Sequence, residues 1–305
     1  MAEPRILRIY LDPNMLASAR AGTFGFVRVM TEAFEAEGFR VELRKNSFDE
    51  RMKSGARNGY SMFLMDEPFH EKSLTMRKAY YYPFWRIEKV AERWEFAVAQ
   101  RAFDPAETDP VLAKKWFADW RKWIFRKLPE RAEKLGMIYV PLQGRLLDHR
   151  SFQTMSPVEM IGAVQAQAGD RRILLGLHPG EIYSEAEIAA VTAIAGADAR
   201  VTLQTGGMDE ALRTCDLVAT MNSTAALSGY FFEKPAVLFA KSDFHHVMPS
   251  VAALGVDEAF RRAETDVPDF AAYLFWFVQL NAIKADAPGA GDAILATCRG
   301  HGWEF

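Results

Sequence analysis

The sequence predicts an α/β protein built on doubly wound, largely parallel sheets. Three observations predict it. Short apolar runs alternate with helix-like stretches at close spacing, most regularly from residue 137 onward. Those later runs are apolar throughout, as in strands covered on both faces. The helix-like stretches open on capping signals, twice on the pattern Ser-x-x-Glu.

Taken in order, "RILRIYL" (5–11) reads as a first strand, and "AGTFGFVRVMTEAFEAEG" (21–38) as a loop and helix stopped by Gly38. "FRVELR" (39–44) alternates like a strand, and "YSMFLMDEP" (60–68) reads as a third. From 76 to 134 the character changes, and five of the seven tryptophans lie here: Trp85, Trp94, Trp116, Trp120 and Trp123. Asp109 and Pro110 suit an N-cap and first helical position, and Leu112, Trp116, Trp120 and Trp123 then share a helical face. That stripe is expected to be core; an acceptor surface of stacked aromatics is the alternative.

Gly136 restarts the alternation with "MIYVPLQ" (137–143). "SPVE" (156–159) and "SEAE" (184–187) open helices on either side of the strand "RILLGLH" (172–178). "RVTLQ" (200–204), "LVATM" (217–221) and "PAVLFA" (235–240) follow as strands, separated by "MDEALRTC" and "STAALSGYFF" as helices. The boundary between an N-terminal domain, 1–135, and a C-terminal domain, 136–305, is placed near 135, with the last helices free to pack back on the first domain.

Net charge is −3, which gives no global electrostatic case for nucleic acid. Two cysteines, Cys215 and Cys298, make neither a disulfide framework nor a metal spacing. The run "FAAYLFWFVQL" (270–280) falls short of the roughly 20 residues needed to span a bilayer and reads as a buried helix. No secretory signal opens the sequence, so a cytoplasmic location is expected, with room for peripheral contact at the inner membrane face. Dinucleotide, P-loop and nucleophile-elbow glycine motifs are absent, and the adjacent His245 and His246 do not suit a shared metal.

In such sheets, ligands bind beyond the carboxyl ends of the strands. Three strand ends there bear polar groups: "QGRLLDHRS" (143–151), "HPGE" (178–181) and "NST" (222–224). Asn222, Ser223 and Thr224 open a helix, where free N–H groups and hydroxyls suit a phosphate; plain capping is the alternative. His178 is placed to donate to phosphate oxygens or to protonate a leaving group. Pro179 fixes the turn, and Gly180 lets a ligand approach the backbone. Glu181 is placed to accept from a ribose hydroxyl or simply to face water. Asp148 is a candidate nucleophile or base, or one half of a surface pair with Arg150.

In order, "YVPLQ…D…SF", "LHPGE" and "LRTCDLVATMNSTAALSGYFFEKPAVLF" resemble the capsule polysaccharide biosynthesis family, which includes β-Kdo transferases. The likeness runs from about 137 to 246. It implies a GT-B-like fold of two Rossmann-like domains facing a cleft, and transfer of a sugar from a CMP-linked donor to a polysaccharide or glycolipid acceptor. It also implies that His178, Pro179, Ser223 and Thr224 hold the donor nucleotide and that Asp148, the nearest match to the family's aspartate, is catalytic. No metal or other cofactor is implied, the nucleotide sugar being a substrate. The family's K-P-H-P is here Gly176-Leu177-His178-Pro179. A UDP- or GDP-sugar donor on the same scaffold, or a non-catalytic glycan-binding protein, are the rival readings.

Overall fold

The computed structural model describes residues 4–126, 128 and 131–305. They form two compact units: Met1–Arg101 with Phe277–Phe305, and Ala102–Trp276.

In the first unit, β1 (Ile6–Leu11) runs parallel to β2 (Arg40–Lys45) on one side and β3 (Tyr60–Leu64) on the other. Next to β3 lies β4 (Ser73–Lys78), also parallel, and then β5 (Phe84–Glu88), antiparallel. The two-residue strand Ile283–Lys284 closes the far side of β5, again antiparallel. β1 and β3 are buried, β1 carrying one buried charge, Arg8, which pairs with Glu42 of the edge strand β2 at 3.2 Å. Behind β1, Asp12 caps the helix Pro13–Arg20 by accepting from the Met15 N–H at 2.9 Å. Phe26, Met30 and Phe34 of the helix Gly25–Ala36 join Leu7, Ile9 and Met62 in the core, with Ile294 and Cys298 of the helix Ala290–Gly300.

The second unit has five parallel strands: β6 (Met137–Leu142), β7 (Arg172–Leu177), β8 (Val201–Thr205), β9 (Leu217–Thr220) and β10 (Ala236–Leu238). Their order across the sheet is β10-β9-β6-β7-β8. The chain therefore starts in the middle, builds outward to β8, then reverses to β9 and β10. This is the doubly wound order, and the reversal falls between β6 and β9. Both Ser-x-x-Glu signals form complete capping boxes, opening the helices Pro157–Gln167 and Glu185–Ala197.

Three expectations are revised. The units divide after Arg101, not near 135, because the helix Pro110–Ile124 packs Trp116 and Phe117 against Phe231 of the second unit; the pairing of β5 with Ile283–Lys284 places the chain's last residues in the first. The tryptophan-rich segment is consequently split: Trp85 is buried in β5 of the first unit, whereas Trp116, Trp120 and Trp123 stand on the helix Pro110–Ile124 of the second. That helix begins as expected, on Asp109 and Pro110, but its stripe is not core. Leu112 and Trp123 are each 55 % exposed, Trp116 and Trp120 are half-buried, and Ala113 alone in the helix is fully buried. The residues 270–280 are buried, except for Ala271, Gln279 and Leu280, but only Phe270–Leu274 is α-helical; Phe275–Leu280 continues as a π-helix. No helix among the described residues is long and apolar enough to cross a membrane.

Candidate functional site

The three polar strand ends leave β6, β7 and β9 at the carboxyl edge of the second unit's sheet, beside the point where the strand order reverses. Hydrogen bonds tie their loops together. The Tyr183 hydroxyl donates to the Leu142 carbonyl at 3.0 Å and accepts from the His178 N–H at 2.8 Å, joining the end of β6 to the end of β7. The Glu181 carboxylate lies so close over Gly144 that a Cβ there would stand 3.0 Å from its Oε2. On the other side, the Thr154 N–H donates to Phe239 O and the Lys241 N–H to Phe152 O, so the loop after β6 also lies along the end of β10. Asn222 Nδ2 donates to Lys241 O at 2.9 Å, fixing the end of β9 to the same segment.

His178 is exposed, and its ring has a defined role for each nitrogen. Nδ1 accepts from the Gly180 N–H at 3.1 Å. The neutral ring therefore holds its proton on Nε2, which is left as a donor for a ligand. A Cβ on Gly180 would stand 3.1 Å from His178 Cε1, so a side chain there would push the imidazole by a few tenths of an ångström. Pro179 and Glu181 are exposed beside it, and the Glu181 N–H donates back to His178 O at 3.1 Å.

Ser223 is the N-cap of the helix Thr224–Gly229, its hydroxyl accepting from the Ala225 N–H at 3.3 Å. The capping alternative is thus realised by Ser223, and the Asn222 amide is engaged in the backbone tie. The half-buried Thr224 stands at the first helical position, and its hydroxyl makes no hydrogen bond among the described residues.

Asp148 is half exposed and pairs with Arg145, not Arg150, with Arg145 Nε 2.7 Å from Asp148 Oδ2. Arg145 holds a left-handed backbone, φ 63°, sparsely populated by residues with a Cβ. Arg150 makes no ion pair among the described residues. Its guanidinium lies 4.8 Å over the Phe152 ring, and its buried Nε has no hydrogen-bond partner. Burial lowers the guanidinium's pKa and Arg145 adds to that, while Asp148 and Glu181 oppose it. Arg150 is an unpaired, partly desolvated cation at the edge where an anionic ligand is expected.

Two supporting residues had no readable signal of this role in the sequence. Tyr183 is the latch described above. Glu187 completes a capping box, which is legible, but its carboxylate also accepts from the Leu146 N–H in the loop after β6. Hydrogen bonds from Ser184, set against the cost of burial and joined by the Leu146 and Arg145 N–H groups, hold its pKa below the ordinary carboxylate value. Away from this edge, a cavity of about 780 Å³ opens near the starts of β6, β9 and β10, lined in part by Lys134, Asp216 and Pro235.

No family profile and no curated protein matches the sequence. Among solved structures, the chain is similar to the beta Kdo 2,7 transferase of Thermosulfurimonas dismutans KpsC, at 13 % identity and a TM-score of 0.51, over 95 % of this chain and 98 % of that one. It is also similar to the beta Kdo 2,4 transferase of KpsC from the same organism, at 10 % identity and a TM-score of 0.49, over 90 % of each. At these identities the likeness is one of fold. The chain has the α/β fold of the GT-B type. More particularly, the fold resembles that of a β-Kdo transferase, and the resemblance drawn from the motifs holds at that level.

Proposed function

We propose that the protein is a glycosyltransferase that moves a Kdo-like sugar from a CMP-linked donor to a surface-polysaccharide or glycolipid acceptor. The observation that supports this best is the gathering of His178, Asp148, Arg150 and the Ser223–Thr224 pair on loops leaving one carboxyl edge, beside the strand-order reversal of a doubly wound sheet. In this reading, His178 Nε2–H and the Thr224 hydroxyl donate to the nucleotide phosphate. Arg150 supplies positive charge as the CMP departs. Asp148 leaves Arg145 to act at the anomeric carbon, as nucleophile or as base toward the acceptor hydroxyl. The working place is the cytoplasmic face of a membrane, which the protein touches from the side.

The test uses Asp148→Asn, which keeps size and removes charge. CMP binding, followed by calorimetry, stays within about twofold of wild type, and sugar transfer falls by about a hundredfold or more. Unchanged transfer overturns the role of Asp148. Binding of UDP or GDP in place of CMP replaces the donor, and glycan binding without transfer from any nucleotide sugar replaces the enzyme by a glycan-binding protein.

A further inference from the structure

The helix Pro110–Ile124 is an anomaly in the second unit. Val111 is 74 % exposed, and Leu112 and Trp123 are 55 % exposed. Residues 110–128 hold six cations, Lys114, Lys115, Arg121, Lys122, Arg126 and Lys127, against one acid, Asp119, in a chain whose net charge is −3. Asp119 pairs with Lys115 at 3.1 Å. Lys114, Arg121, Lys122 and Arg126 make no ion pair among the described residues.

At the helix's C-terminal end is a hollow of about 250 Å³, lined by Phe117, Arg121, Lys122, Phe125, Arg126 and Phe232 among others, with no carboxylate in its wall among the described residues. Arg121 lies 5.2 Å over the Phe232 ring, and its Nη2 is buried with no hydrogen-bond partner. A buried guanidinium nitrogen without an acceptor is costly, and a phosphate oxygen is the acceptor it suits best.

At about 100° per residue, Val111, Lys115 and Lys122 fall together on the outer face. Leu112 and Trp123 flank them on one side, Lys114 and Arg121 on the other. A flat surface laid along this face meets cations at its centre, apolar groups and an indole along one margin, and the hollow along the other. We propose that this helix docks the protein on an anionic lipid bilayer, with headgroup phosphates entering the hollow and Trp123, Leu112 and Val111 seated at the headgroup level. Val111 and Leu112 decide against a nucleic acid or a glycan, because neither offers a ring face or a hydrogen bond, while both gain by leaving water. The inference takes from the proposed function only the contact with a membrane and does not depend on transfer chemistry.

The full chain is sedimented, without donor, with vesicles of phosphatidylcholine alone or with about 30 % phosphatidylglycerol. Binding to the anionic vesicles exceeds binding to the neutral ones by about tenfold or more and is released at roughly 0.5 M salt. Lys122→Glu and Trp123→Ser, both at the surface, and Arg121→Gln, in the hollow, each reduce it several-fold. Their transfer to a water-soluble acceptor, and their circular dichroism, match wild type. Equal binding to both vesicles, no binding to either, or wild-type binding by all three variants overturns the proposal. So does wild-type vesicle binding joined to loss of an acceptor oligosaccharide or of an RNA oligomer, which would assign the helix to that ligand. Failure of transfer in the wild-type protein strikes the glycosyltransferase reading and leaves this one standing.

Discussion

Replacing Glu187 by Ala tests whether the loop bearing Asp148 is held from the neighbouring loop. The Glu187 carboxylate accepts from the Ser184 N–H at 2.7 Å, from the Ser184 hydroxyl at 2.8 Å and from the Leu146 N–H. Losing the capping half costs about 1 kcal/mol. Leu146 is fully buried, so its orphaned N–H costs about 1–3 kcal/mol more. The second unit therefore loses roughly 2–4 kcal/mol. Glu187→Gln keeps one good acceptor and turns an N–H toward the other donors, so it falls between wild type and Ala. The carboxylate's pKa is lowered in the fold, so its stabilisation is present above the ordinary value of 4.5 and is lost as pH falls through the folded value. The gap between wild type and the Gln variant accordingly narrows in acid. Urea unfolding at pH 7 and pH 4 gives the energies, and hydrogen exchange at Leu146 gives the location. A loss below about 0.5 kcal/mol for the Ala variant, with Leu146 exchange unchanged, would refute the tie.

Ser223→Ala with Thr224→Ala should weaken CMP binding by about 1–3 kcal/mol while the fold survives, because Ser223 contributes one cap bond; titration calorimetry decides it. His178→Ala should damage donor binding far more than His245→Ala or His246→Ala. His246, whose Nδ1 lies 3.0 Å from the Tyr273 hydroxyl and whose ring meets Trp276 edge-on, should instead cost stability; nucleotide titrations and melting curves separate the two. Burial lowers the pKa of His70 and His301 from 6.5, so below that pH the unfolded chain takes up protons that the first unit resists. Its stability should fall as pH drops from 7.5 to 5.5, measured by hydrogen exchange in β1 and β3.

What could be read from the sequence was local. The two Ser-x-x-Glu boxes placed helix starts correctly because both partners of a capping box lie within four residues. β6, β7 and β9 were legible because burial on both faces leaves them almost wholly apolar, and their ends then located the polar loops, whereas β8 is largely exposed and was read from its alternation with helices. β5 escaped because its buried charge is satisfied at a distance. Arg86 is 4 % exposed inside β5 and donates to the carbonyls of Phe277 and Asn281, some 190 residues away. A strand whose buried arginine is satisfied from the far end of the chain looks, in sequence, like surface. The ties of Tyr183 and Glu187 to the loop after β6 were hidden for the same reason.

Gly176, where the motif that the sequence resembles carries a lysine, stands in a place that the packing of the second unit closes to a side chain. A Cβ on Gly176 would stand 2.6 Å from Tyr139 Cε2 and 2.7 Å from its hydroxyl oxygen, so the Tyr139 ring occupies the volume that any side chain there would need. Tyr139 is buried in β6, and burial pushes its phenol pKa well above the ordinary value, so it brings no charge in exchange. A cation leaving the end of β7 is thereby excluded by a residue on the neighbouring strand. The loop after β6 brings two cations to this edge, Arg145 and Arg150. Of these, Arg145 is already paired with Asp148, whereas Arg150 lies over the Phe152 ring, makes no ion pair among the described residues and has a buried Nε without a hydrogen-bond partner. An anion arriving at the edge gains most from Arg150, and the loop that holds it is the one that Glu187 and Tyr183 fasten to the β7 side and Phe239 and Lys241 to the β10 side.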